Sequence, residues 1–150
     1  MDMRGFSKWK LWQDRNEIKG LEYPGIYALA ISPEEELTNK EFKLIKEIVY
    51  FGMTCCGLKG RLQQFDNTVK KKRDEHGGAE RFLFEHNDFA IVASNLYVSV
   101  NSMTCNPKPS TRDDWYKKGE IVQFEYICFG DYVDRYLKLP KFNDPKSLKK

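Results

Sequence analysis

The sequence predicts an α+β domain, and three observations support that class. Residues 26–31, 48–52 and 91–101 carry the alternating or short apolar patterns that are typical of β-strands. Residues 57–75 repeat apolar side chains at three- and four-residue steps, which predicts an amphipathic helix. A second long helix is predicted to start at Thr111, where the acidic pair Asp113 and Asp114 follows, and to run to Leu137.

The length and composition of the chain suit one domain. With 150 residues, of which 41% are hydrophobic, it can bury one ordinary core and is too short for two typical domains. We expect a single domain over residues 1–150, with residues 1–22 as an N-terminal extension and 140–150 as a partly flexible tail. The net charge of +3 is too mild to identify a nucleic-acid-binding protein by itself.

The sequence also predicts where the protein is found and how its thiols behave. No apolar run is long enough to span a membrane, and the first residues lack the apolar core of a secretory signal, so we expect a cytoplasmic protein without a membrane partner. The four cysteines include no Cys-x-x-Cys pair. They are predicted to be free and mostly buried rather than zinc ligands.

The first two strands are predicted in more detail. In residues 26–31, Tyr27 shares a face with Leu29, and the small-residue face that holds Ala28 is expected to pack under a helix. Ile48 and Tyr50 are predicted to share a face of the second strand, with Gly52. An antiparallel pairing would let the two tyrosines project into one concavity.

The remaining segments are predicted from local patterns. Residues 39–47, which lie between the first two strands, have helical character. Residues 79–89 are predicted as a short helix, and residues 91–101 as a half-buried strand because apolar and polar side chains alternate there. The apolar residues of the segment 5–21 fit neither a strand nor a helix template.

A Gly-Ile-Tyr triplet at residues 25–27, Tyr-Phe-Gly at residues 50–52 and Arg61 on the following helix form an ordered set. This set resembles the core of the GIY-YIG nuclease superfamily over roughly residues 25–143. The resemblance implies a GIY-YIG endonuclease-like α+β fold with a small, largely antiparallel central sheet flanked by helices. It also implies that the two triplets lie on neighbouring strands.

The resemblance implies the residues of an active site. Tyr27, Tyr50, Arg61 and Glu125 are the implied catalytic residues, and Glu125 is the implied ligand of one Mg²⁺ or Mn²⁺ ion. Glu125 is followed by Pro-Lys-Phe-Asn at residues 140–143, as the family's glutamate is often followed by an asparagine close after a proline. Glu120 is the competing choice for the metal ligand.

The residue types suit cleavage of a phosphodiester. Mg²⁺ is usually held by only one or two protein carboxylates, and an arginine presents forked donors that match phosphate geometry. Tyr27 is the first candidate for the general base if Arg61 or a metal lowers its pKa from about 10; otherwise it only orients a water molecule. Many members of the family carry a histidine one turn after the arginine, where this chain has Leu-Gln-Gln-Phe at residues 62–65.

Basic residues of the first helix are candidates for contacts with nucleic-acid phosphates. They are Lys59, Lys70, Lys71, Lys72 and Arg73. The competing interpretation of the run at residues 70–73 is a solvated helix end, where cations also interact well with the helix dipole.

The sequence therefore predicts a metal-dependent endonuclease that hydrolyses phosphodiester bonds in nucleic acid, with DNA as the expected substrate and RNA left open. The alternative is a nucleic-acid-binding module of the same fold without cleavage activity. A third possibility is a protein-interaction domain without a nucleic-acid role. Cleavage of both strands would be easiest for a homodimer, and the sequence leaves the oligomeric state open.

Overall fold

A computed structural model describes residues 1–71, 77–85 and 88–144. In this part of the chain, four strands form one sheet in the order β1-β4-β2-β3, and every neighbouring pair is antiparallel. The predicted α+β class with a small antiparallel sheet is thereby confirmed. The strands are β1 (Lys10–Leu11), β2 (Gly25–Ile31), β3 (Ile48–Thr54) and β4 (Leu96–Ser102), and the helices are α1 (Leu58–Lys71), α2 (Gly77–Glu85), α3 (Phe89–Ala93) and α4 (Arg112–Tyr136).

Strand β2 lies between β3 and β4 and is covered on both faces. Tyr27 and Leu29 belong to one core, which is closed by the apolar stripe of α1 and by Phe82 of α2. Ile26, Ala28 and Ala30 belong to a second core under α4, as predicted for a small-residue face. The buried side of α4 that meets them consists of Ile121, Phe124, Cys128 and Tyr132.

A register shift in β3 decides which face its side chains take. Leu29 pairs with Tyr50 but Ala30 pairs with Ile48, so Val49 is an extra residue of the kind found in a β-bulge. Ile48 consequently packs in the core under α4, whereas Tyr50 packs on the α1 side. The prediction that Ile48 and Tyr50 share a face is wrong, because the extra residue reverses the alternation between them.

The segment between β2 and β3 contains no helix at residues 39–47, all of which are described, so that prediction is wrong. Asn39 has a left-handed φ of 62°, and its N–H donates to the Trp9 carbonyl at 2.8 Å. Phe42 stacks on Phe6 with ring centroids 4.0 Å apart. Contacts with the N-terminal segment have therefore overridden the helical preference of the local sequence.

The third predicted strand and the short helix before it differ from expectation. Residues 91–93 lie in α3, which Asp88 caps by accepting from the Ala90 N–H at 3.1 Å, and β4 starts only at Leu96. The helix predicted at residues 79–89 is α2 followed by the separate α3. Strand β4 is buried on both faces rather than half-buried, because Val98 and Val100 pack in the core on the α1 side and the N-terminal segment bonds to Ser99 and Asn101 on the other.

The N-terminal residues 1–22 contribute to the sheet and to both cores. Trp9 and Trp12 are each 1% exposed, in different cores. The Trp12 Nε1–H donates to Asp66 of α1 at 2.9 Å, and Arg15 lies 3.6 Å from the same carboxylate. This segment therefore ties α1 to the sheet.

Helix α4 begins and ends close to where the sequence predicts. Thr111 is its N-cap, with a capping box to Asp114, and Leu137 ends it in the left-handed conformation at φ 61°. Among the described helices, none has the length and apolar character needed to cross a membrane. The predicted flexibility of the tail concerns residues 145–150, which lie outside the described residues.

Asn143 closes the outer edge of β3. Its Oδ1 accepts from the Phe51 N–H at 2.8 Å, and its Nδ2 donates to the Phe51 carbonyl at 2.7 Å. Asn143→Ala should lower the free energy of unfolding by about 2–3 kcal/mol, because two buried backbone groups lose their partners. Chemical denaturation measures this cost. Asn16→Ala is the control, because Asn16 is exposed, and it should change the free energy of unfolding little. Equal stability of the two variants would contradict the role assigned to Asn143.

Candidate functional site

The two tyrosines of the triplets meet on the α1 side of the sheet. Their ring centroids are 6.0 Å apart, and their hydroxyls are hydrogen-bonded to each other. Tyr27 is fully buried and lies opposite Gly52 on β3, whereas Tyr50 is half-buried. A Cβ on Gly52 would stand 2.3 Å from the Tyr27 ring, and one on Gly78 would stand 2.5 Å from the Tyr50 ring. Glycine at both positions makes room for the aromatic rings.

Arg61 reaches this pair from the first turns of α1. The start of the helix is held by the Leu58 and Lys59 N–H groups, which donate to the Tyr23 and Leu21 carbonyls at 3.0 and 2.8 Å. The half-buried Arg61 guanidinium donates to the Tyr27 hydroxyl and to Gln64 Oε1, the latter at 2.8 Å. The cation is therefore held beside the tyrosines by two side-chain acceptors.

Glu125 approaches from α4 and is also half-buried. Burial raises the pKa of Glu125 from 4.5 to about 7, and the attraction of Arg61 offsets only part of that rise. Glu120, the competing candidate, is exposed. Electrostatic contact with Arg61 and Tyr50 therefore distinguishes Glu125 from Glu120.

The structure brings together the four side chains that the sequence nominates. Arg61 interacts electrostatically with Tyr27, Tyr50 and Glu125, although these residues come from three different elements besides its own. Arg61 also lines an open cleft of 490 Å³, together with Gln64 and the loop that follows β3. A volume of this size is within the range of small-molecule sites, so the cleft has room for a nucleotide.

The environment of the tyrosines bears on their chemistry. Burial raises the pKa of Tyr27 well above 10, with Tyr50 adding to the rise and Arg61 opposing it. Burial likewise raises the pKa of Tyr50, against the opposing charges of Arg61 and Arg81. Both phenols are therefore protonated at neutral pH. They can orient their neighbours by hydrogen bonds, but neither is suited to take a proton from water.

Tyr27→Phe should reduce any cleavage activity about 10- to 100-fold, because Arg61 and Tyr50 lose the hydroxyl that orients them. Tyr132→Phe is the matched control, since its hydroxyl donates to the Ile48 carbonyl at 3.1 Å on the opposite face of the sheet. Both variants should lose about 1–2 kcal/mol of stability. Equal activity of the two variants would contradict a positioning role for Tyr27.

Arg81 is a neighbour that the sequence did not reveal. Its Nη1 donates to the Phe142 carbonyl at 3.0 Å, and its charge acts on Tyr50. The buried Nε of Arg81 has no hydrogen-bond partner among the described residues. No local pattern distinguishes this arginine from other helix cations, because its proximity to Tyr50 depends on how α2 packs.

Of the basic residues predicted to contact phosphates, the side chains of Lys59 and Lys70 are described, and neither lies with Arg61. Lys59 is exposed, but residues two apart on a helix do not face each other, so it does not share the direction of Arg61. Lys70 lies 3.2 Å from Asp66 and 5.9 Å from the Phe89 ring centroid, more than two turns beyond Arg61. The side chain of Lys71 and the whole of Lys72 and Arg73 lie outside the described residues.

The cysteines offer no alternative centre. All four are described and free, as predicted; Cys105 and Cys128 are buried, Cys55 is half-buried, and Cys56 is exposed at the cleft. Within the described ranges, no group of three histidine, cysteine or carboxylate side chains could hold a metal ion. Any cation at the site would therefore depend on Glu125, water and substrate.

Comparison with known proteins adds no relative to this description. The chain matches no protein-family model, no curated protein and no solved structure. The functional argument consequently depends on the residues of the site themselves.

Proposed function

We propose that this protein is a metal-dependent endonuclease of the GIY-YIG type that hydrolyses phosphodiester bonds in nucleic acid, with DNA as its substrate. The observation that supports the proposal is that Tyr27, Tyr50 and Glu125 all interact with Arg61, which lines an open cleft. These residues are far apart in the sequence. If their order along the chain matched that of the family only by chance, their side chains would have no reason to lie close together.

The donor set fits one divalent cation of the Mg²⁺ or Mn²⁺ type. Glu125 keeps a carboxyl group in a half-buried position where its ionisation is unfavourable, and a cation would offset that cost. One carboxylate suffices for Mg²⁺, which usually retains water and takes phosphate oxygens as further ligands. When bound, such an ion supplies Lewis-acid stabilisation of the phosphate oxygens.

The other side chains have distinct roles in this proposal. Arg61 binds the scissile phosphate and stabilises the negative charge that accumulates in the transition state. Tyr50, which is half-buried, orients the attacking water or the phosphate through its hydroxyl, and the proton of that water leaves to solvent or to a phosphate oxygen. Tyr27 holds Arg61 and Tyr50 in position from behind, because its own side chain is inaccessible.

A second candidate function is binding of nucleic acid without cleavage. Two observations favour it. Burial raises the pKa of both phenols, and the residues that follow Arg61 include no histidine. One turn after Arg61 the chain has Phe65, which is buried in the core, in place of a histidine. In this case Arg61 would still bind a phosphate, but the site would lack a side chain that accepts the proton of water.

The experiment is a cleavage and binding assay on supercoiled DNA, linear duplex DNA and RNA, with Mg²⁺, Mn²⁺ or EDTA. The proposal expects new ends on DNA only when the divalent ion is present. Retention of DNA without new ends under every metal condition would instead support the binding module. Absence of both binding and cleavage on all substrates would reject both functions, and cleavage confined to RNA would correct the substrate.

A further inference from the structure

Helix α4 carries an unusual share of the exposed apolar surface. Of the eight large hydrophobic side chains that the described part of the chain leaves exposed, seven lie on α4 or on its C-cap; the eighth is Ile91. The most exposed of the seven are Trp115 at 62%, Tyr126 at 68% and Leu137 at 86%. The others are Tyr116, Val122, Ile127 and Val133.

Four of these seven residues lie on one stripe along α4, called the outer stripe: Trp115, Val122, Tyr126 and Val133. Starting from Trp115, the outer stripe advances by alternating steps of four and three residues. That spacing is the seam along which a second helix packs in a coiled coil, here over three heptads. The outer stripe consists of Trp115, Gly119, Val122, Tyr126, Phe129, Val133 and Tyr136.

The outer stripe lies beside the face that α4 uses to cover the sheet, and two of its residues, Phe129 and Tyr136, also pack against the core under α4. That inner face is Ile121, Phe124, Cys128 and Tyr132, all buried. Phe129 connects the two faces, because its ring lies 6.4 Å from that of Phe51 in the core and 6.3 Å from that of Tyr126 on the surface. A helix that is apolar on two sides is normally covered on both.

The size of the stripe matches a protein interface. Its exposed portions, with Leu137 at its C-terminal end, amount to roughly 600 Å² if an aromatic side chain presents about 150–250 Å² in full. The largest apolar patch on a typical monomer covers about 300–600 Å², and each partner in a standard interface contributes about 800 Å². The area therefore lies at the upper end of what a monomer exposes and approaches what each partner of a dimer buries.

We propose that the outer stripe of α4 binds the same stripe of a second copy of this chain, with the two helices antiparallel. When two such helices overlap along their full length, Trp115 lies opposite Val133, and Gly119 opposite Phe129. Val122 and Tyr126 then meet about the twofold axis. Large side chains thus face small ones, which is how packed layers interdigitate.

Gly119 supports this arrangement in particular. A Cβ built on Gly119 meets nothing within 4 Å in the described structure, so its surface is free to receive Phe129 of the second copy. A parallel pairing would place Gly119 against itself and leave a gap in that layer. The antiparallel pairing also aligns the helix dipoles favourably. A single self-complementary patch is what a twofold dimer requires.

The dimer is tested by sedimentation equilibrium of the full chain. Wild type should have twice the mass of one chain, and Tyr126→Glu should weaken the dimer about 100-fold or more. Ile91→Glu is the matched control, since Ile91 is 75% exposed but lies on α3, and it should leave the dimer intact. A monomeric wild type, a dimeric Tyr126→Glu variant, or equal weakening by Ile91→Glu would overturn the proposal.

The orientation is tested by cysteine cross-linking in a background where exposed Cys56 is serine. The double variant Trp115→Cys with Val133→Cys should form an intermolecular disulfide, whereas Val133→Cys alone should not. Cross-linking of the single variant would indicate parallel helices and would overturn the antiparallel arrangement. Circular dichroism confirms that each variant is folded, and none of these measurements depends on cleavage activity.

Discussion

Glu125→Gln is expected to lower metal-dependent DNA cleavage about 100- to 1000-fold while the protein stays folded. The glutamine keeps the size of the side chain but removes the negative charge on which the proposed cation binding depends. Glu120→Gln, on the exposed side of the same helix, is the matched control and should cleave like wild type. The measurement is the initial rate on supercoiled DNA over a Mg²⁺ titration.

The same substitution should change the pH dependence of stability. The pKa of Glu125 is about 7 in the folded protein and 4.5 without burial, so the folded state holds a proton that the unfolded state releases between these values. Stability contributed by that proton is complete below pH 4.5 and is lost as the pH rises to about 7. Glu125→Gln does not undergo this loss. Its free energy of unfolding at pH 8 should therefore exceed that of wild type by about 1–2 kcal/mol, after allowance for the partial exposure of the side chain.

Mg²⁺ should offset this loss of stability in wild type and have no effect on the stability of Glu125→Gln. A cation that binds the ionised carboxylate of the folded state raises the Tm of wild type at pH 8 and leaves that of Glu125→Gln unchanged. Below pH 7, protons compete for the same oxygens, so metal affinity should fall about tenfold per pH unit. Equal cleavage by wild type and Glu125→Gln, with equal response of Tm to Mg²⁺, would remove Glu125 from the metal site.

Gly52→Ala is expected to lower the free energy of unfolding by about 2–3 kcal/mol, because a Cβ there would stand 2.3 Å from the buried Tyr27 ring. In a domain of this size, that loss corresponds to roughly 5–10 °C in Tm. Since Tyr27 and the β3 backbone are both enclosed, the ring cannot move without disturbing Arg61 and Tyr50. Cleavage should therefore fall together with stability.

The control for this prediction is another glycine-to-alanine change. A Cβ on Gly130, in the interior of α4, meets nothing within 4 Å, so Gly130→Ala should stabilise the protein by about 0.5–1 kcal/mol through helix propensity. Thermal unfolding of both variants gives the comparison. If Gly52→Ala is as stable as wild type, the close packing of Tyr27 against β3 does not exist as described.

Features that depend on neighbours along the chain were predictable from the sequence. The apolar stripe of α1, the start of α4 at Thr111 and the strand predicted at residues 26–31 each follow from spacings of two to four residues. The candidate residues of the site could be selected because the triplets and Arg61 occur in a distinctive order. Glu125 and Glu120 could not be separated, because both lie on one helix and only burial distinguishes them.

The tertiary structure decided the features that depend on distant residues. The β-bulge at Val49 reverses the face of Ile48, and Trp9 binds the segment after β2, where the chain forms no helix. The pairing of Tyr27 with Gly52, and the reach of Glu125 and Arg81 toward Tyr50, depend on register and helix packing. Local spacing determines the secondary structure of a segment because the interactions that form it act between residues within one turn. The free energy that packs one segment against another comes from burial of apolar surface, which only the assembled chain provides.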